Sequence, residues 1–342
     1  MALALREVTM TPSIRHSADA PTEDAILSKI ETALDNVLDD MGLPRQEEAH
    51  VKRQKYLYLT IDDFTEDDDN PITYSWFKWG VSCKGGPGSN GPGQTLWTDP
   101  TLAYPLLEAQ LPELEDFLRD GIEHLQLQEW WVADFFDFLE QFYTHHAPDE
   151  YRQLYLANLD LLRIIDDISA AVYNRRDPAR TETYEEVIER TSDLNQEILA
   201  VDHLEDRYRY TSDFTNLFED VVMMLVELEG QDLERGHNTV ISELKNFYRD
   251  HVWLMVAHKI SLHTVVGPNA DTIREDSNNN LTRLRSQFDE ELTQNRRRCD
   301  AMNLLPSVDE YPDFGTSSDD ETDEFEEKFD ELMTVVDGRD NE

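Results

Sequence analysis

The sequence predicts a mainly α-helical protein: a helical bundle with a small N-terminal helical module that carries a short extended arm and a Gly-rich loop. Three observations lead there. Apolar residues recur at helical spacing through most of the 342 residues, the signature of amphipathic helices. Only one stretch, Pro71 to Trp79, has the aromatic and β-branched content of a strand. Six Trp, 13 Tyr and 14 Phe are too many for a disordered chain, and with a hydrophobic fraction of 39% they are enough to build a core.

Residues 1–20 read as an extended N-terminus. Thr22 is placed to cap a first helix whose inner face is Ile26, Ile30, Leu34, Val37, Leu38 and Met41, with Gly42 and Pro44 ending it. A second helix is expected from Glu47 to Phe64, with Val51, Leu57, Tyr58, Ile61 and Phe64 inward and Lys52, Arg53 and Lys55 forming a basic turn. The acidic turn Glu66 to Asn70 leads into the arm. Then Gly80, Gly85, Gly86, Gly88, Gly91 and Gly93 place six of the 13 glycines within 14 residues. This segment is read as a flexible interaction loop, because it lacks the Gly-Lys-Ser/Thr ending of a phosphate loop and no strand-loop-helix unit surrounds it.

Leu106, Leu107, Leu111, Leu114, Phe117 and Leu118 form an amphipathic stretch in which Pro112 is a breaking or kinking point. Glu129 to Tyr143 is expected to be one aromatic helix, closed by His145, His146, Ala147 and Pro148. These mark a boundary between a module at 21–146 and a C-terminal bundle at 149–305. In the bundle, helices are expected from Asp149, from Thr181 to Asp202, along Phe214 to Leu228, along Val240 to Val256, and from Thr272 to Met302. Residues 307–342 read as an acidic disordered tail, in which Phe325, Phe329, Leu332, Met333 and Val336 recur at helical spacing.

Thirty Lys and Arg against 73 Asp and Glu leave a formal charge of −43. Such a chain repels nucleic acid and anionic lipid, so neither is an expected partner. Only eight of the basic residues are Lys. In multimolar salt the screening length falls to about 3 Å or less, so an acidic shell costs little self-repulsion and stays hydrated. The acidity is therefore read as a halophilic solvation shell. Cys83 and Cys299 form no paired motif, which fits a reducing cytosol. Met1 to Met10 holds no long apolar run, and the longest apolar stretches, Val221 to Leu228 and Val252 to Ala257, are far below about 18 residues. A cytoplasmic protein without a membrane span is expected.

No catalytic, cofactor-binding or metal-ligating residue is assigned. Glu234 and His237 make one Glu-x-x-His pair where a di-metal bundle needs two. His251, His258 and His263 do not fall on one helix face, and Asp166-Asp167 is half of an acidic metal motif. Cys83 has no base visible in the sequence, and there is no Gly-x-Ser-x-Gly elbow. Arg283, Arg285, Arg296, Arg297 and Arg298 are expected to pair with acidic neighbours. Trp76, Phe77, Trp79, Trp97, Trp130, Trp131, Phe135, Phe136 and Phe138 crowd into about 60 residues, a density that fills a core or anchors an interface. Adjacent Trp130 and Trp131 cannot both point inward from one helix. Trp76, Trp79, Trp97 and Trp130 are the candidate partner-binding residues.

Two resemblances add to this reading. Through His50-Val51-Lys52-Arg53-Gln54-Lys55-Tyr56-Leu57-Tyr58-Leu59, Ile72-Thr73-Tyr74-Ser75-Trp76-Phe77-Lys78-Trp79-Gly80 and Phe142-Tyr143-Thr144-His145, the chain resembles a family of uncharacterised acidic haloarchaeal proteins, which implies no activity. Locally, Gln54-Lys55-Tyr56-Leu57-Tyr58 and Trp76-Phe77-Lys78-Trp79-Gly80 resemble the Panacea (SocA-like) antitoxin domain, with Val81 where that pattern has Pro. This resemblance implies a binding module. The expected function is a non-enzymatic protein-interaction or regulatory factor of a halophilic archaeon, with an unidentified protein partner and no cofactor. A homo-oligomer is compatible with it. The alternatives are a metal-dependent helical-bundle enzyme and an antitoxin-like neutralising protein.

Overall fold

The computed structural model describes residues 23–44, 49–64, 72–83, 109–174, 181–228 and 233–306. Helix α1 (Glu23–Asp40) buries Ile26, Ile30, Leu34, Val37 and Leu38 on one face, as their spacing requires. It ends where Gly42 takes φ +67 and the Leu43 N–H reaches back to the Leu38 carbonyl at 2.9 Å, a left-handed cap. Helix α2 (Ala49–Phe64) departs from its expected one-sided face. Leu57 and Ile61 are buried, but so are Lys52, Lys55, Tyr56, Leu59 and Thr60. The basic turn is thereby corrected. Only Arg53 of the three reaches an acidic partner, Asp35 at 2.6 Å, while the two lysines turn into a helix enclosed by α1 and the hairpin.

That hairpin is the only sheet among the described residues. Strands β1 (Tyr74–Phe77) and β2 (Gly80–Cys83) pair antiparallel, Tyr74 with Cys83 and Phe77 with Gly80, across a turn at Lys78 and Trp79. Gly80, expected to open the loop, instead opens β2. Its φ is +82, and an added Cβ would lie 2.9 Å from the Tyr143 ring and 3.2 Å from that of Trp76. Gly85 to Gly93 lie outside the described residues.

A two-stranded hairpin is marginal alone. Here the helices complete its hydrogen bonding. Tyr74 exchanges backbone bonds with Val266 at 3.2 and 3.1 Å, and the Trp76 N–H donates to Thr264 Oγ1 at 3.0 Å. The Phe77 carbonyl accepts from the Tyr155 hydroxyl at 2.7 Å and that of Lys78 from Trp253 Nε1 at 2.8 Å. On the β2 side, Lys55 Nζ donates to the Val81 carbonyl at 2.6 Å and the Cys83 N–H to Gln54 Oε1 at 2.8 Å.

Helix α3 (Leu111–Asp116) takes Pro112 into its first turn, where proline is tolerated, and continues as a π turn, Phe117–Gly121. The expected single aromatic helix is two, α4 (Leu127–Trp130) and α5 (Phe135–His146). Asp134 supplies the break, its carboxylate accepting the Phe136 N–H at 2.8 Å as an N-cap. Lys52 Nζ holds the open turn by donating to the carbonyls of Trp130, Trp131 and Ala133 at 3.0, 3.0 and 2.7 Å.

The rest is α6 (Asp149–Tyr173), α7 (Thr181–Ala200), a 3-10 turn (Asp202–Arg207), α8 (Tyr208–Glu227), α9 (Arg235–Phe247), a π turn (Tyr248–Val252), α10 (Trp253–Thr264) and α11 (Ala270–Ala301). The helix break at Ala147–Pro148 falls between α5 and α6, and the apolar core runs on across it, from Ile26 to Leu304. The expected tail at 307–342 lies outside the described residues.

Candidate functional site

The hairpin brings together charged groups that the sequence scatters. Glu23, buried at the start of α1, accepts from the Thr73 N–H and, at 2.6 Å, from Asn269 Nδ2, so one carboxylate ties α1, the hairpin entrance and the start of α11. Lys55 is 2% exposed, with Nζ 5.4 Å from the Phe142 ring centroid. Burial pushes its pKa down to about 7, partly opposed by Cys83. Burial likewise pushes the Cys83 thiol up to about 12, with Lys55 working against it. Cys83 is thus protonated at neutral pH and is a packed thiol, not an activated nucleophile.

The candidate tryptophans separate by burial. Trp76 is 3% exposed, stacks on Phe142 at 5.7 Å and leans on Tyr155 at 5.5 Å. It is a core residue, which corrects its assignment as a partner contact. Trp131 is also buried, its indole N–H donating to the Pro44 carbonyl at 2.8 Å. Trp79 and Trp130 are half-buried, and Trp97 lies outside the described residues. Trp79, at the hairpin turn, meets Phe135 edge-on at 5.4 Å, and Phe135 meets Phe136 at 5.8 Å. Both Phe are half-buried, and exposed Val132 and half-buried Trp130 lie on the segment leading into α5. Trp79, Phe135 and Phe136 form an aromatic ridge.

Lys78 joins the ridge to a cleft. Its ammonium lies 5.8 Å from the Trp79 ring centroid and pairs with Asp250. Asp250 sits in the π turn between α9 and α10, a type of irregularity common at functional sites. Burial alone would raise its pKa, but hydrogen bonds from Arg249 and Lys78 hold it at about 2. With Glu243, Phe247 and His251 it forms one wall of a cleft of about 290 Å³, and Glu291, Asn295 and Arg298 of α11 form the other. Arg298 pairs with Glu243 at 3.3 Å.

The remaining candidates are committed elsewhere. Glu234 and His237 cap α9: His237 Nδ1 accepts the Glu234 N–H at 3.1 Å, and Nε2 faces the Met302 carbonyl at 3.2 Å. His258 contacts Ser277 Oγ at 3.3 Å, and burial takes it down to about 4. His263 Nδ1 lies 2.9 Å from the carbonyl of Lys259. Asp166 pairs with Lys245, and Arg285 with Asp206 at 2.8 Å. Cys299 is buried, with its thiol pushed up to about 12 by burial. Among the described residues no group of three or more His, Cys, Asp or Glu is placed to hold a metal ion, and no helix is long and apolar enough to cross a membrane. Sequence reasoning missed the buried lysines and the cleft. The scarcity of lysine was the available signal for the first. None existed for the second, whose walls are some 40 residues apart in the chain.

Fold and surface together define a mainly α-helical protein built around a buried hairpin, with a half-exposed aromatic ridge beside an acidic cleft. A family model described as a domain of unknown function, DUF8098, matches residues 16–105 and 108–333, and the chain belongs to that family. No curated protein and no solved structure matches.

Proposed function

We propose that the protein is a non-enzymatic protein-interaction or regulatory factor that docks its partner on the ridge of Trp79, Phe135 and Phe136, flanked by Trp130. The observation that carries this reading is the half-exposed aromatic contact between Trp79 and Phe135, at 5.4 Å, on a hairpin turn whose backbone is held by Tyr155 and Trp253. Aromatic side chains presented by a rigid support lose little entropy on binding and are the residues that dominate interface energies. The −43 charge and the eight lysines support a salt-accumulating archaeal cytoplasm as its setting. The antitoxin resemblance gives the reading a more specific form, a neutralising protein. It is supported by the packing of the two similar segments on each other through Tyr58 and Trp76, whose ring centroids lie 6.1 Å apart. Glu234 and His237 lend no support to a metal enzyme, because both His237 nitrogens face main-chain groups.

Tagged wild-type protein, Trp79→Ala and Phe135→Ala should be used as baits in a high-salt lysate of the native host, with mass spectrometry of what is retained. The wild type should retain a partner set that both variants lose while their helical circular dichroism is unchanged. Equal recovery by all three would remove the ridge as the docking surface. Retention of only an untagged copy of the same chain would redirect the reading to a homo-oligomer.

A further inference from the structure

We propose that the cleft between α9–α10 and α11 binds an arginine side chain of a protein partner. The argument rests on what its lining groups leave unused. His251 is 9% exposed, and its Nε2 lies 2.8 Å from the Leu284 carbonyl. A carbonyl only accepts, so Nε2 carries the proton and Nδ1 is left as a bare acceptor. Asn295 is 3% exposed, and its Nδ2 donates to the Glu291 carbonyl at 2.9 Å. By the same logic its Oδ1 is left as an acceptor. Neither atom has a hydrogen-bond partner among the described residues, and both residues line the cleft.

The charges point the same way. Arg298 offsets Glu243, and Lys78 and Arg249 offset Asp250. The Glu291 carboxylate has no ion pair among the described residues, so it is the one carboxylate of the cleft that no cationic side chain meets directly. Three open acceptors, one of them a carboxylate without an ion pair, call for a donor-rich monocation. A guanidinium has five N–H donors in a planar fork, and Phe247 offers an aromatic wall beside it. Lysine has fewer donors, and its compact ammonium would satisfy the separated acceptors less well. The inference deepens the docking reading, since Lys78 makes the cleft continuous with the ridge.

The test needs no partner, so its failure is distinguishable from failure of the capture experiment. Full-length protein with isotopically labelled histidine is titrated in high salt with N-acetyl-arginine amide and, separately, with its neutral isostere N-acetyl-citrulline amide. The His251 ring signal is assigned with His251→Gln. Arginine amide should shift that signal saturably, and citrulline amide should bind about tenfold more weakly, as loss of a charged hydrogen bond implies. Glu291→Gln, at a half-exposed position that spares the core, should weaken arginine amide by a similar factor with its melting curve unchanged. No saturable shift, equal binding of the two probes, or undiminished binding by Glu291→Gln would each overturn the proposal.

Discussion

Lys55 gives the fold a pH dependence that follows from its burial. Its ordinary pKa of 10.5 applies to the unfolded chain, and burial takes it to about 7 in the folded one. Between those values the unfolded chain binds one more proton than the folded one, so stability rises with pH. From pH 7 to pH 9 the folded lysine passes from half-protonated to almost neutral while the unfolded one keeps its proton, which integrates to about 2 kcal/mol of added stability. The window closes at the top because Cys83, raised from 9.0 to about 12 by burial, reverses the trend once the unfolded thiol ionises. It closes at the bottom because below about 7 Lys55 is protonated in both states, and the further rise with pH from His146 and His258, both taken down to about 4 by burial, falls below their ordinary 6.5 and outside the window. Lys52 and Lys78 are also lowered by burial, so a variant is needed to isolate Lys55. Lys55→Met keeps the aliphatic stem against Phe142 and removes the titrating amine. Urea unfolding at fixed high potassium chloride, followed by circular dichroism at pH 7 and pH 9, should show a stability gain in the wild type that is smaller by about 2 kcal/mol in the variant. The same gain in both proteins would refute the burial argument.

The two hairpin tryptophans should behave oppositely. Trp76→Ala should cost about 3–5 kcal/mol by opening a cavity against Phe142 and Tyr155, whereas Trp79→Ala should cost well under half of that, both read by urea unfolding in high salt. Dialysis to low salt should loosen the helices, because the screening length grows from about 3 Å at 1 M to about 30 Å at 0.01 M and the −43 charge regains its long-range repulsion. An unchanged helical signal with cooperative melting at low salt would count against the halophilic setting.

What could be read from the sequence depended on how many sides of an element are covered. α1 was legible because it buries one face, and a 3.6-residue period reports one face. α2 was legible as a helix but not in its orientation, because it is covered on several sides and polar residues as well as apolar ones lie inside. The aromatic helix was misjudged at Trp131 to Asp134 because nothing local forbids helix there. The Asp134 cap starts the second helix, and Lys52, some 80 residues away, takes up the freed carbonyls of the open turn. Trp76 and Trp79 look alike in sequence and differ in fate by one hairpin turn, whose position is set by the tight approach of Gly80 to Tyr143. The cleft was invisible because its open acceptors exist only after main-chain carbonyls have claimed the donors of His251 and Asn295.

The lysines connect composition to structure. Six of the eight lie among the described residues and none of these is fully exposed: Lys52 and Lys55 are buried, and Lys29, Lys78, Lys245 and Lys259 are half-buried. Lys29, Lys52 and Lys55 donate to main-chain carbonyls, and Lys78 and Lys245 pair with aspartates. Five of the six described lysines thus replace lost hydration with protein acceptors, a pattern in keeping with the proposed salt-tolerant setting. In an ordinary protein a Lys-Arg-x-Lys turn is most simply a solvated face. In this chain the expectation inverts, and five of the six described lysines mark a contact within the fold. Lys52 and Lys55 accordingly mark the turn before α5 and β2, where they donate to main-chain carbonyls.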